Sequence, residues 1–202
     1  MTSEEIITII NQLFGDVDGY EISNIARKRL SISDRALTYG EVNPQTFGEI
    51  LAQVNPHAGE IFYDLGSGTG KAVLLAHLHF NFSKSVGIEL LEDIYLAAIK
   101  VLKKYDQEIK PRLDLKKQNQ KIEYINGDYF RTDLSDADVV FCHSTCLNEE
   151  AMAALEDKLS MLKKGTRIIT VTKNLHYPIF RLIKTQMYDM GWGKATVYFY
   201  IK

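Results

Sequence analysis

Hydrophobic positions change their period along this chain. Ile6, Ile7, Ile10, Leu13 and Phe14 fall at helical spacing behind Ser3. They predict a short amphipathic helix over Ser3–Phe14 with Ser3 as its cap. Gly15–Gly19 breaks it. From Glu21 to Val54 the pattern predicts helical or looped segments, closing in a helix over about Gln45–Gln53, and Asn55-Pro56-His57-Ala58-Gly59 reads as a turn. Beyond it, short apolar runs alternate with amphipathic stretches. Strands are predicted over Glu60–Leu65, Ser85–Glu89, Ile122–Asn126, Asp138–His143 and Thr166–Thr172. Helices are predicted between them over Lys71–Phe80, Glu92–Tyr105 and Asn148–Leu162.

Such alternation predicts an α/β fold, a doubly wound and mostly parallel sheet with helices on both faces. The C-terminus departs from it. Phe180–Tyr188 and Thr196–Ile201 flank Gly191-Trp192-Gly193, the pattern of an antiparallel hairpin. The expected organisation is a helical extension over residues 1–54 and one ligand-binding domain over residues 55–202.

Composition narrows the partners. A formal net charge of −2 gives no global field for nucleic acid or an anionic membrane. Cys142 and Cys146 stand close together without metal-ligand spacing around them, which fits a reducing compartment. No apolar run reaches membrane-span length, and Met-Thr-Ser-Glu-Glu is unlike a signal sequence, so a cytoplasmic location is expected. Lys100–Lys121 is locally basic through Lys103, Lys104, Lys110, Arg112, Lys116, Lys117 and Lys121. A solvated helix end with its connector is the expected reading, ahead of contact with an anionic partner.

The chemistry concentrates in Tyr63-Asp64-Leu65-Gly66-Ser67-Gly68-Thr69-Gly70-Lys71. A buried strand, a glycine turn and a helix start follow one another there. Glycines at alternate positions let a ligand approach the backbone. A pyrophosphate loop would keep negative charge away from its ligand, whereas Asp64 sits two residues before the first glycine. A carboxylate there suits a cation such as the ammonium of S-adenosylmethionine. Gly66, Ser67, Gly68 and Gly70 would then line the cofactor. Glu89 ends the second strand, where an acid binds ribose hydroxyls. Asp128, with Tyr129 and Phe130, follows the third strand and can accept from the adenine amino group beside aromatic faces. The plainer reading makes these acids turn-forming or solvent-facing. Lys71 begins a helix, where a cation opposes the dipole unless an anion joins it. The methionine carboxylate and Asp64 are both candidate partners, and so is solvent.

Tyr39-Gly40-Glu41 upstream of the glycine turn resembles the disruptor-of-telomeric-silencing family, the non-SET histone lysine methyltransferases. So do Lys163-Lys164-Gly165-Thr166-Arg167-Ile168-Ile169 leading into Thr172-Lys173, and Trp192-Gly193-Lys194 followed by Val197-Tyr198-Phe199-Tyr200. The similarity runs from about Thr38 to Lys202. It implies the seven-stranded, Rossmann-like class I methyltransferase fold with a small helical extension. It implies that Tyr39, Gly40 and Glu41 form a lid over the methionine end of the cofactor, that Glu89 binds ribose, and that Asp128 with Tyr129 frames adenine. The aromatics of the closing strand, Tyr198, Phe199 and Tyr200, would help line a channel for a substrate lysine.

Two positions depart from the family. Cys142-His143-Ser144-Thr145-Cys146 stands where the family has paired asparagines, placing His143 and Ser144 beside the transferred methyl. Lys71 stands where a glutamine is usual. The 202 residues also hold no long lysine-rich extension of the kind that grips nucleosomal DNA, so nucleosome binding is not implied.

The expected activity is methylation of a protein lysine, with Tyr39, His143, Ser144 and the closing-strand tyrosines around the neutral amine. His143 is either a proton acceptor or a structural histidine at a strand end. A small molecule or nucleic acid is the alternative acceptor, although no Asn/Asp-Pro-Pro-aromatic motif is present. Cys146 is a weak match to the nucleophile of cytosine-5 enzymes, and packing explains it as well. A noncatalytic cofactor- or partner-binding module is the alternative from another class. A nicotinamide oxidoreductase would need a third glycine where Lys71 stands.

Overall fold

The computed structural model describes residues 1–31 and 38–202; that part of the Glu21–Val54 reading which falls on 32–37 lies outside the described residues. Helix α1 (Ser3–Phe14) opens the chain. Its cap is Thr2, one residue earlier than expected. The Thr2 hydroxyl accepts from the Glu5 amide at 3.2 Å, and the Glu5 carboxylate accepts from the Thr2 amide at 2.7 Å. A reciprocal box needs the acid three residues after the cap, and from Ser3 that place is Ile6. Helix α2 (Gly19–Arg29) is a discrete element capped by Asp18, and α3 (Pro44–Ala52) is capped by Asn43 with proline in its first turn.

The alternation then follows as β1 (Ile61–Leu65), α4 (Lys71–His79), β2 (Lys84–Glu89), α5 (Glu92–Lys104), the single turn α6 (Leu115–Gln118), β3 (Lys121–Asn126), β4 (Val139–Cys142), α7 (Glu149–Ser160) and β5 (Arg167–Val171). A π-helical turn over Tyr105–Ile109 extends α5. The hairpin is β6 (Arg181–Met190) and β7 (Gly193–Ile201), joined by Gly191-Trp192 alone. Sheet order is β3-β2-β1-β4-β5-β7-β6. The first five strands run parallel, β7 is antiparallel to β5, and β6 is antiparallel to β7.

Period-two alternation sends successive side chains to two cores. Phe62, Val139, Phe141, Ile169, Val171, Val197 and Phe199 face α1, α3 and α4. Tyr63, Leu65, Val86, Ile88, Val140, Cys142 and Ile168 face α7. Helices α1 and α3 thus pack their Ile6, Ile10, Leu13, Phe47, Ile50 and Leu51 into the core of the sheet itself. Burying side chains of this size stabilises by roughly 1.5–3 kcal/mol each. Helix α4 is buried from Ala72 to Leu78, so its register is set by enclosure rather than by one apolar stripe.

One expectation about the basic segment is corrected. Lys117 is buried, 8 % exposed, and its ammonium donates to the His77 and Phe80 carbonyls and to Gln120. The last turn of α4 leaves carbonyls without intrahelical partners, and this lysine fills that need from another element.

Candidate functional site

At the carboxyl ends of β1, β2 and β4, and just past β3, the structure opens a cleft of about 280 Å³. Leu65, Gly66 and Gly68 form its floor, Glu89 and Leu91 one side, and Asp128, Tyr129 and Phe130 the other. Thr38, Tyr39 and Gly40 roof it, and His143 closes the end shared with a smaller cavity. That smaller cavity is lined by Glu41, Asp64, Ser67 and Lys71. A crevice there is where strand order reverses, between β1 and β4, in an open parallel sheet.

The glycine turn is held by residues that its own motif does not contain. Gly70 adopts φ 85°, and a Cβ there would lie 2.2 Å from the Tyr124 hydroxyl. That hydroxyl, from β3, donates to the Gly70 carbonyl at 3.0 Å. Between them runs β2, where only a glycine at position 87 leaves room for Ser67 and the Tyr124 ring. Burial, with the Asp64 charge nearby, raises the Tyr124 hydroxyl above its ordinary pKa and keeps it a donor. The sequence offered one signal for Tyr124: its place on the pleat of a strand beside a glycine of the next strand.

Asp64 is 3 % exposed, and among the described residues no hydrogen bond or ion pair reaches its carboxylate. Burial, together with the neighbouring Glu89, pushes it up to about 8. An acid so placed lacks a cationic partner. Glu89 is the opposite case, since its two oxygens accept from the Gly68 amide at 2.9 Å and the Leu91 amide at 2.8 Å. Each oxygen keeps a lone pair for the cleft, and burial raises the group against these bonds. Asp128 accepts from the Phe130 amide at 2.9 Å, which sets Tyr129 and Phe130 with ring centres 4.5 Å apart on the cleft wall.

Tyr39 lies across the glycine turn, its ring filling the space a Cβ on Gly68 would need. Its hydroxyl donates to Glu41 at 2.6 Å and meets the Thr69 hydroxyl at 2.9 Å. Glu41 also pairs with Lys71, whose ammonium lies 5.1 Å from the Phe14 ring centre. Lys71 therefore does not pair with Asp64: its neutraliser comes from the lid.

Burial and strand geometry turn Ser144, Phe199 and Tyr200 away from the cleft walls. Ser144 is fully buried and gives its hydroxyl to the Val171 carbonyl at 2.7 Å, tying the chain after β4 to the end of β5. Among the described residues the cleft walls do not include Tyr198, Phe199 or Tyr200. Phe199 is sealed in the α1–α3–α4 core against Tyr188, because neighbours on a strand face opposite ways. Tyr200 accepts from the Leu175 amide at 2.9 Å. Since β7 runs antiparallel to β5, Tyr200 pairs with Ile168, toward the far end of the sheet from the cleft. The hairpin residue that contacts the cleft's lining residues is Trp192. Its indole N–H donates to His143 Nε2 at 3.3 Å, and both rings pack on Gly40.

A profile of the family described as Histone methylation protein DOT1 matches residues 30–201. The chain belongs to this family. The histone-lysine N-methyltransferase of Caenorhabditis elegans described as H3 lysine-79 specific is 32 % identical over 149 residues, covering 68 % of this chain and 15 % of that protein. A protein-lysine N-methyltransferase of Saccharolobus islandicus is 30 % identical over 112 residues, covering 55 % of this chain and 61 % of that protein. The chain spans between 12 % and 24 % of the length of the first four histone methyltransferases it matches. Among solved structures, an RNA methyltransferase from Salinibacter ruber in complex with S-adenosyl-L-homocysteine superposes with a TM-score of 0.59 at 24 % identity. That match covers 79 % of this chain and 92 % of the other. TrmN from Thermus thermophilus gives 0.62 at 19 % identity, covering 88 % of this chain and 53 % of the other. At those identities the likeness concerns the fold, the class I methyltransferase sheet. Of the pair His143-Ser144 after β4, His143 lines the cleft and Ser144 does not.

Proposed function

We propose that the chain is an S-adenosylmethionine-dependent methyltransferase whose acceptor is a protein lysine. The observation that carries the reading is the buried Asp64 carboxylate without a protein partner, facing a cavity that also holds Lys71 and Glu41. An anionic and a cationic side chain lining one cavity complement an amino acid zwitterion. Asp64 takes the ammonium, and Lys71 takes the carboxylate while Glu41 steadies it. Glu89 accepts the ribose hydroxyls and Asp128 the adenine amino group, with Tyr129 and Phe130 against the ring. The bound cofactor supplies an electrophilic methyl on a sulfonium. The protein's part is to orient the acceptor in line and to exclude water.

A lysine acceptor is supported by membership of the family and by the names of the two protein-lysine relatives above. It must attack as the neutral amine, which desolvation at an apolar mouth favours. His143 and Trp192 pack together against Gly40 beside the cleft. Calorimetry with S-adenosylmethionine followed by radiolabelled methyl transfer into lysate tests the whole reading. Label that protease removes, mapped to a lysine by mass spectrometry, is the expected outcome. Label confined to nucleic acid or small molecules would defeat the lysine assignment, and failure to bind the cofactor would defeat the reading outright.

A further inference from the structure

The turn Gly191-Trp192 touches both walls of the inner cavity. Its Gly191 amide donates to the Glu41 carbonyl at 3.3 Å, on the lid, and its Trp192 indole donates to His143 Nε2 at 3.3 Å, at the end of β4. The two rings stand edge to face, 5.8 Å between centres. An indole nitrogen can only donate. The imidazole nitrogen it meets must therefore be the unprotonated one, and in a neutral ring the proton is left on Nδ1. Burial lowers His143 below its ordinary pKa, its own backbone acting weakly the other way, so the neutral ring is the resting form.

We propose that Trp192 is a positioning residue that fixes His143 as the Nδ1-protonated tautomer and occupies its only basic nitrogen. His143 then cannot take the proton of an incoming amine, and it serves as a rigid neutral wall that seats the hairpin on the cleft. The inference deepens the methyltransferase reading and rests on it for its kinetic consequence. An acceptor ammonium loses its proton to solvent before it is enclosed, and the transfer itself moves only the methyl, from sulfur to nitrogen. The surplus proton of the alkylated amine stays on that nitrogen, so no base is consumed at the moment of reaction.

Long-range proton–nitrogen correlation spectra of the full chain with labelled histidine report the tautomer directly, His143 being assigned by its loss in His143→Gln. Nδ1 is expected to be protonated and Nε2 to be an acceptor, and Trp192→Phe is expected to release that preference toward Nε2–H. A proton on Nε2 in the wild-type chain, or nitrogen shifts indifferent to Trp192→Phe, would overturn the proposal. Methyl transfer into lysate protein gives the second arm. The side-chain carbonyl introduced by His143→Gln can still accept from the indole, so this variant is expected to lower the rate by less than about tenfold, while a lost general base costs on the order of 10²–10⁴. A loss of that larger size would overturn the proposal too. Absence of any transfer by the wild-type chain would count against the methyltransferase reading, and the nitrogen shifts would still decide the tautomer.

Discussion

Glu41 and Lys71 lie thirty residues apart in sequence and meet as an ion pair, each side chain 17 % exposed. The pair joins the segment over the cleft to the first residue of α4, so it ties that segment to the helix that follows the glycine turn. Replacing Lys71 by Met leaves Glu41 with the Tyr39 hydroxyl alone and removes the proposed carboxylate partner. Cofactor affinity should fall by roughly 10- to 100-fold, the range of one or two lost charge-assisted bonds. In a double-mutant cycle on cofactor binding, Glu41→Gln and Lys71→Met should be non-additive, because they share one interaction. Additive effects would show that the two side chains act separately.

Asp64 sets a pH dependence. Its folded-state value of about 8 lies above the ordinary value of 3.8, because burial and Glu89 disfavour the charge. Its contribution to the stability of the ligand-free protein is complete below the ordinary value and is lost as pH rises through about 8. Asp64→Asn should accordingly raise the melting temperature of the free protein at about pH 8 and change it little at about pH 4. Cofactor binding reverses the preference, since an ammonium partner needs the carboxylate. Near about pH 7 binding should release close to one proton, measurable by calorimetry in buffers of different ionisation enthalpy. Asp64→Asn should abolish that release and weaken binding by roughly 100-fold or more, as expected for breaking a buried charge pair.

Gly87 shows how much the site depends on a residue that touches no ligand. A Cβ there would lie 2.6 Å from the Ser67 hydroxyl and 2.8 Å from the Tyr124 ring. Gly87→Ala should destabilise the fold by about 1–3 kcal/mol, as overpacking does, and weaken cofactor binding as the glycine turn shifts. Urea denaturation and calorimetry on one preparation separate the two effects.

Lys117 supports α4 from outside the sheet. Burial pushes its ammonium down to about 8, with Asp114 acting the other way. Lys117→Met removes donors from the His77 and Phe80 carbonyls and should cost roughly 1–3 kcal/mol at about pH 7. In the wild-type chain the group's contribution to stability should rise from about pH 8 toward the ordinary lysine value of 10.5, because a depressed value favours the folded state only above it. Lys117→Met should flatten that rise in a stability–pH profile.

Local sequence was enough for the order of elements, the parallel core of the sheet, the hairpin at its end and the three acids at strand ends, because periodicity and turn residues act over a few positions. Asp64, Glu89 and Asp128 were legible for that reason, each tied to the end of one strand. The cap at Thr2 lay within the same reach, one residue from its expected place, since a capping box is a four-residue motif. The partners these groups meet were settled by the packed fold. Lys71 finds Glu41 only because the lid folds back, and Lys117 is buried because α6 brings it under the end of α4. Phe199 and Tyr200 turn away from the cleft because β7 runs antiparallel and alternates its faces, while the turn before β7 brings Trp192 against His143. Pairings across a sheet or from lid to helix join residues thirty or more positions apart, and such a distance is closed by packing that no local pattern records.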